Sequence, residues 1–426
     1  MNEQKKTIFR ILSSVVVILS LIGIVTGKHF KINIIPEKVS DPESSETSRE
    51  RAVFYDNEKD IKLRGTIFDL KGRKLSYTEY QSEPQKMKRH FCDDPASFIK
   101  YAPALSNLID TYSSSKEGLD ILYDNILRKQ NITPTTDYAI GQSVQLTIDA
   151  ELSLSIYKLL YQLQNSEIFS SVIIMRPNGE LLTMLSNPTF NLESYRCNIE
   201  YRTAYTGSPA LVNSNRHTEI TDPSIFLKIC KVYFNSNTIS ETGYNRLSKL
   251  INDDFGFSSE LADKDTFGTI DKNSIEVTDN DSIKLSVTTV YLAEMMSLCT
   301  TGSMYPAKLI KNIVDTNDYK NVIEANKSTD CILSLPDDKL QMLRQEYSNI
   351  CSEYSFHTKN GYNLYGDYAC IEGIEYLLGS YINTDSPNDS FIIVLKVDNR
   401  KINAVNNRHD MLKIYDNIIK ILNNYK

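Results

Sequence analysis

The chain has 426 residues, a formal net charge of -7 and a pI near 5.5, so it is acidic and long enough for about two or three domains. It contains no block of basic residues, which argues against nucleic acid as a partner. Its seven cysteines are scattered and form neither C-x-x-C pairs nor Cys/His clusters, so we expect no disulfide framework, no metal site and no cofactor.

The N-terminal residues predict where the protein is located. A largely apolar run from Ile8 to Thr26 follows two lysines and ends before Lys28. This run is long enough to span a bilayer, and the preceding cations predict a cytoplasmic N-terminus. The alternative is a cleaved secretory signal, although no small-x-small site closes the run. We therefore expect residues 1–27 to form a cytoplasmic tip and a single transmembrane anchor, with the body outside the cytoplasm.

The next residues predict a linker and a small domain. Residues 28–60 include the polar, Ser/Glu-rich stretch from Pro36 to Arg51, which has no apolar period and is typical of a tether. Residues 61–140 begin with a predicted hairpin. Its first strand ends at Phe68, its turn runs from Asp69 to Gly72, and its second strand begins at Lys74.

Residues 141–426 predict a larger α/β domain. The alternating stretch from Val144 ends at Asp149, which is placed to cap a helix beginning at Ala150. Apolar runs predict further strands at 171–175, 180–185 and 391–397, and amphipathic patterns predict helices that include residues 290–296 and 411–422.

Two strings resemble those of class B penicillin-binding proteins. R-G-T-I-F-D, from Arg64 to Asp69, resembles the opening of their extracytoplasmic part, and L-T-I-D, from Leu146 to Asp149, resembles the start of their transpeptidase domain. The resemblance implies an antiparallel sheet sandwiched by helices for residues 141–426. It also implies a non-catalytic pedestal for residues 61–140.

The first active-site motif of that family has its counterpart at Asp222 to Lys228, downstream of Asn215-Arg216. In the family a serine opens a helix and a lysine one turn later accepts its proton. Here the serine position holds Ile225, whose side chain has no oxygen, so the nucleophile is missing. Ser224 is one residue out of register: it is either the helix cap or a shifted nucleophile.

The second and third motifs are also altered. The resemblance places the second at Asn235-Ser236-Asn237, so that Asn235 and Asn237 are the candidate site residues, and a polar helix cap is the alternative. It places the third at Lys359-Asn360-Gly361, where the cation would attract a substrate carboxylate and the strand edge would pair with a peptide. A plain hairpin turn is the alternative there. We expect this edge to face the helix that carries Ile225 and Lys228.

These observations leave three functional hypotheses. The first is a membrane-anchored, catalytically inactive homologue in peptidoglycan synthesis. It would act as a scaffold or regulator, with membrane cell-wall enzymes as partners during division or spore formation. The second is an active D,D-transpeptidase that uses Ser224. The third is a non-covalent sensor of stem peptides or β-lactams that uses Lys359.

Overall fold

The computed structural model describes one compact unit within residues 50–426. The described residues are 63–81, 86–91, 101, 105, 119, 123–129, 140–163, 169–187, 218–220, 228–229, 231–233, 275–278, 282–287, 289–325, 331–371, 373–398 and 408–425. The predicted anchor and linker lie outside these ranges. Within them, no helix is both long enough and apolar enough to cross a membrane.

A five-stranded antiparallel sheet forms the centre of the fold. Its strands are β5 (Phe169–Met175), β6 (Leu181–Asn187), β14 (Tyr362–Ile371), β15 (Ile374–Asn383) and β16 (Phe391–Asp398), in the order β14-β15-β16-β5-β6. All eight residues of β16 are buried, because helices cover both faces of the sheet. This explains why β16 appears in the sequence as an apolar run and not as an alternating pattern, whereas the edge strand β14 is polar and tyrosine-rich.

Helices pack on both faces of this sheet. One face carries α2 (Ala150–Leu163) and α6 (Arg408–Asn423), whose Tyr415 donates to the carbonyl of Ile393 at 3.2 Å. The other face carries α3 (Thr289–Thr301), whose Met296 carbonyl accepts a hydrogen bond from Ser380 Oγ at 2.8 Å. The predicted sandwich of an antiparallel sheet between helices is confirmed.

A second sheet has six strands. They are β1 (Ile67–Phe68), β2 (Lys74–Gln81), β3 (Lys86–Phe91), β4 (Ser143–Leu146), β11 (Ile310–Val314) and β12 (Val322–Ala325), in the order β12-β11-β4-β1-β2-β3. The predicted β1–β2 hairpin is confirmed, and β1 also pairs in parallel with β4. The predicted boundary between residues 140 and 141 therefore lies inside one continuous sheet, and the division into pedestal and transpeptidase-like domain stays a prediction.

The remaining elements are short. They are α1 (Asp124–Leu127), β7 (Thr218–Ile220), β8 (Ile275–Thr278), β9 (Ser282–Val287), β10 (Ser303–Met304), β13 (Leu333–Ser334), α4 (Asp337–Glu346), α5 (Asn349–Glu353) and the 3-10 turn Pro387–Asp389. Residues 228–229 and 231–233 are helical and are called the Lys228 segment below. This segment, α4 and α5 lie near β14 and position the candidate site.

Candidate functional site

Lys228 forms an ion pair with a residue in the middle of β14. Its Nζ lies 2.7 Å from Asp367 Oδ2, and the two side chains are only 20% and 13% exposed. The same ammonium lies 5.1 Å from the centroid of the Tyr347 ring. Lys228 therefore acts here as a cation held between a carboxylate and an aromatic face.

Helix α4 docks on the Lys228 segment through two lysines. Lys231 Nζ lies 2.8 Å from Glu346 Oε1, near the end of α4. In the other direction, Lys339 of α4 donates to the carbonyl of Val232 at 3.0 Å. These contacts hold α4, which directly precedes Tyr347 in the chain, against the Lys228 segment.

Helix α4 is also tied to the C-terminal end of α3. Arg344 donates to the carbonyls of Cys299 and Thr300 at 2.9 and 2.6 Å, which satisfies carbonyls that a helix end leaves without an intrahelical partner. Burial raises the pKa of the Cys299 thiol far above its usual value, against the opposing effect of the Arg344 and Lys228 cations. Cys299 is therefore a neutral, buried thiol and does not supply a thiolate nucleophile.

The outer edge of β14 is in contact with residues that follow α4. The N–H of Gly366 donates to the carbonyl of Tyr347 at 2.7 Å, and Cys351 Sγ donates to the carbonyl of Leu364 at 3.1 Å. Gly366 is also required for packing, because a Cβ at this position would lie 2.5 Å from the Leu378 carbonyl oxygen. Two main-chain groups at the edge of β14 are therefore already hydrogen-bonded to other residues of the same chain.

Lys359 lies in the turn before β14. The N–H of Tyr362 donates to the Lys359 carbonyl at 3.0 Å, and Gly361 has a φ of 78°, so the Lys359-Asn360-Gly361 string forms a turn. The Lys359 N–H donates to Tyr381 Oη at 2.7 Å. Lys359, Asn360 and Gly361 are all exposed.

A histidine anchors the segment before Lys359 to α6. The N–H of His357 donates to Asp416 Oδ1 at 2.7 Å, and its Nδ1 lies 2.8 Å from Oδ2 of the same carboxylate. Burial acts to raise the pKa of Asp416, but these contacts and Lys420 outweigh it and hold the pKa below its usual value. The segment that leads to Lys359 is therefore fixed to the α6 side of the sheet.

Two neighbouring residues of β15 identify the two faces of the sheet. Ser380 Oγ donates to a carbonyl of α3 at 2.8 Å, whereas Tyr381 Oη donates to a side chain of α6 at 2.6 Å. Side chains alternate between the two faces along a strand. Asp367 pairs with Leu378, an even-numbered residue like Ser380, and therefore lies on the α3 face together with Lys228.

Lys359 lies on the opposite face. Its Nζ is 5.9 Å from the centroid of the Tyr362 ring, which in turn contacts the Tyr381 ring at 4.7 Å on the α6 face. Tyr362 and Asp367 lie an odd number of positions apart in β14, whose register is unbroken, so their side chains are on opposite faces of the sheet. They are also roughly 17 Å apart along the strand. The expectation that the strand edge at Lys359 faces the helix carrying Lys228 is therefore wrong.

Comparisons with solved structures identify this architecture. The D,D-transpeptidase domain of a peptidoglycan glycosyltransferase from Eggerthella lenta matches with a TM-score of 0.63 at 12% identity, over 85% of this chain and 98% of that one. Penicillin-binding protein 3 from Mycobacterium tuberculosis matches with a TM-score of 0.60 at 15% identity, over 84% and 95%. The chain has the fold of penicillin-binding transpeptidase domains.

A third neighbour is an imipenem acyl-enzyme of penicillin-binding protein A from M. tuberculosis, with a TM-score of 0.62 at 12% identity, over 86% of this chain and 100% of that one. At the level of sequence, neither a family model nor a curated protein matches. The transpeptidase fold is therefore shared at very low identity, and the roles of individual residues need support of their own.

Several predicted site residues lie outside the described part of the chain. These are Ser224, Ile225, Asn235 and Asn237, and their roles stay predictions. Asp367 and Tyr347, the two partners of Lys228, were not predicted from the sequence. The signal for Asp367 was an acidic residue in the middle of a tyrosine-rich strand. Among the described residues, no group of three or more His, Cys, Asp or Glu side chains is arranged to hold a metal ion.

Proposed function

We propose that this chain is a penicillin-binding-protein homologue of peptidoglycan synthesis that does not perform acyl transfer and acts as a scaffold or regulator. The ion pair between Lys228 and Asp367, at 2.7 Å, carries the proposal. In the mechanism that the family resemblance implies, the lysine accepts the proton of a serine hydroxyl. An ammonium that is paired with a carboxylate has no lone pair with which to accept that proton.

Two further observations support the loss of chemistry. The position three residues before Lys228 holds Ile225, so no hydroxyl is present at the nucleophile position. Lys359, the cation that the resemblance assigns to the substrate carboxylate, belongs to the opposite face of the sheet from Lys228. A nucleophile, its base and the group that binds the substrate act as a unit, and the survivors do not replace a missing member.

The proposal includes a location and a class of partners. The apolar run from Ile8 to Thr26, preceded by lysines, supports a single anchor with a cytoplasmic N-terminus and an extracytoplasmic body. Such a body would work beside membrane cell-wall synthesis proteins during division or sporulation. Protease added to intact protoplasts is expected to degrade the body, and a protected body would contradict this topology.

Labelling with fluorescent penicillin tests the loss of chemistry. We expect no covalent band for the wild-type protein on a denaturing gel, and little recovery with Ile225→Ser, because Asn360 lacks the hydroxyl of the family motif. An active transpeptidase labelled in parallel serves as the positive control. A wild-type band that disappears in Ser224→Ala would show a register-shifted enzyme and would reject the proposal.

The sensor hypothesis needs a separate measurement. Equilibrium binding of a labelled peptide ending in D-Ala-D-Ala is expected to be undetectable for the wild-type protein. Binding that is lost in Lys359→Ala, without any covalent product, would favour a non-covalent sensor over a scaffold.

A further inference from the structure

Strand β14 is at the edge of the five-stranded sheet, and its outer side is covered by the chain itself. Edge strands present main-chain N–H and C=O groups that can pair with an added strand. Here the N–H of Gly366 is bound to the Tyr347 carbonyl at 2.7 Å, and the carbonyl of Leu364 accepts from Cys351 at 3.1 Å. Residues 337–353, which comprise α4, Tyr347 and α5, are called the edge cover below.

The edge cover is packed into the core. Leu343 and Tyr347 are fully buried, and Ile350 is buried next to Gly366, where an added Cβ would approach its Cδ1 at 3.3 Å. Arg344 binds the carbonyl end of α3. The cover is therefore an integral layer against β14, and a ligand that adds to this edge has to displace the Tyr347 carbonyl.

Lys228 connects the cover to the strand. Its ammonium contacts Asp367 of β14 at 2.7 Å and lies 5.1 Å from the ring of Tyr347 in the cover. We propose that the edge cover is an autoinhibitory contact on β14, and that Lys228 is the clamp that keeps it closed. An extended peptide can pair with this edge by β-augmentation only after the cover has moved.

This inference rests on the proposed function, because it concerns the strand edge at which a transpeptidase-like domain would bind a peptide. It does not depend on the missing nucleophile. In an active enzyme the same cover would also block the edge of β14, and in a scaffold without the cover this edge would be accessible to a peptide. The two proposals can therefore fail separately.

Hydrogen exchange of the full-length protein in detergent micelles tests the cover. In the wild-type protein we expect slow exchange of the Gly366 amide. In Lys228→Met, and separately in Asp367→Asn, we expect exchange to become about tenfold faster or more in peptides covering 347–353 and 362–371, while α6 is unchanged. Two conservative variants are used so that misfolding of one does not decide the result.

Lys420→Met is the matched control, because Lys420 also pairs with a carboxylate at 2.8 Å, but on the α6 face. It should leave exchange in 347–353 and 362–371 unchanged. Fast exchange of Gly366 in the wild-type protein would reject the cover, and equal acceleration of all peptides in Lys228→Met would reject the clamp. A covalent penicillin band would reject only the proposal that the protein does not perform acyl transfer, and would leave the edge cover untouched.

Discussion

Asp149 and Asp367 both pair with a lysine, but their surroundings differ. Asp149 is fully buried at the start of α2, where Oδ1 accepts the N–H of Glu151 at 2.9 Å. Its Oδ2 accepts the hydroxyl of Tyr425 at 2.9 Å and lies 2.9 Å from Lys71 Nζ. Asp367 is the carboxylate partner of Lys228 on the α3 face of β14.

The comparison separates residues that hold the fold from residues that would carry chemistry. Asp69 and Asp149 lie in the two strings that resemble the penicillin-binding family, and both are bound by backbone N–H groups and cations. The strings that would carry chemistry depart from the family pattern at Ile225 and Asn360. The fold needs the first set whether or not the protein is an enzyme, and only catalysis needs the second.

The largest expected effect is at Asp149. Asp149→Ala removes the cap of α2 and leaves Lys71 without its carboxylate, so we expect a loss of about 3 kcal/mol or more in the free energy of unfolding. Urea titrations measure the loss. Asp318→Ala is the control, because this exposed carboxylate binds only the nearby N–H of Lys320 in a turn and should cost about 0.5 kcal/mol. Equal losses of unfolding free energy in Asp149→Ala and Asp318→Ala would contradict the distinction between the buried carboxylate and the one in a surface turn.

Glu294 of α3 is also a buried carboxyl, but its contact is a backbone N–H and not a lysine: Ala307 donates to Oε1 at 2.6 Å. Burial raises the pKa of Glu294 from 4.5 to about 8, although the hydrogen bond from Ala307 opposes the shift. Between these two pH values the folded protein keeps a proton that the unfolded chain has lost. Stability should therefore fall as pH rises from about 4.5 to 8, by on the order of a few kcal/mol.

Glu294→Gln should remove most of this pH dependence, because an amide stays neutral and still offers an oxygen to Ala307. Unfolding free energies at pH 5, 6.5 and 8 measure the slope. Glu346→Gln, at the partly exposed pair with Lys231, is the matched control and should retain the wild-type slope. An unchanged slope in Glu294→Gln would mean that Glu294 is charged in the folded protein.

A smaller effect is expected at Lys228. Lys228→Met leaves Asp367 without its cation in a mostly buried position, so we expect a loss of about 1 to 2 kcal/mol. The double variant Lys228→Met with Asp367→Asn should cost less than the sum of the single variants, because the pair is removed as a whole. Strict additivity would show that the 2.7 Å contact contributes no coupling.

The smallest effect is expected at Lys359. Its side chain is exposed over the Tyr362 ring, and its structural contact with Tyr381 uses the backbone N–H, which Lys359→Ala retains. The loss should be below about 0.5 kcal/mol. If Lys359→Ala destabilises the protein as much as Lys228→Met, the assignment of the two cations to different environments is wrong.

Local interactions explain what the sequence determined. The turn from Asp69 to Gly72 and the cap at Asp149 are formed by contacts between residues two to four positions apart, so spacing along the chain was sufficient to predict them. The β5–β6 hairpin and the helices on the sheet follow from apolar runs and helical periodicity for the same reason. The resemblance to penicillin-binding transpeptidases correctly gave the fold.

Tertiary structure alone decided the arrangement of the candidate site. A shift of one residue in the start of β14 would move Asp367 to the other face of the sheet, and the sequence does not fix where that strand begins. The Lys228–Asp367 pair joins residues 139 positions apart, and the contact of Gly366 with Tyr347 joins residues 19 positions apart, so neither is a local turn contact. They form only because the packing of α3, α4 and β14 brings these segments together, which spacing along the chain does not encode.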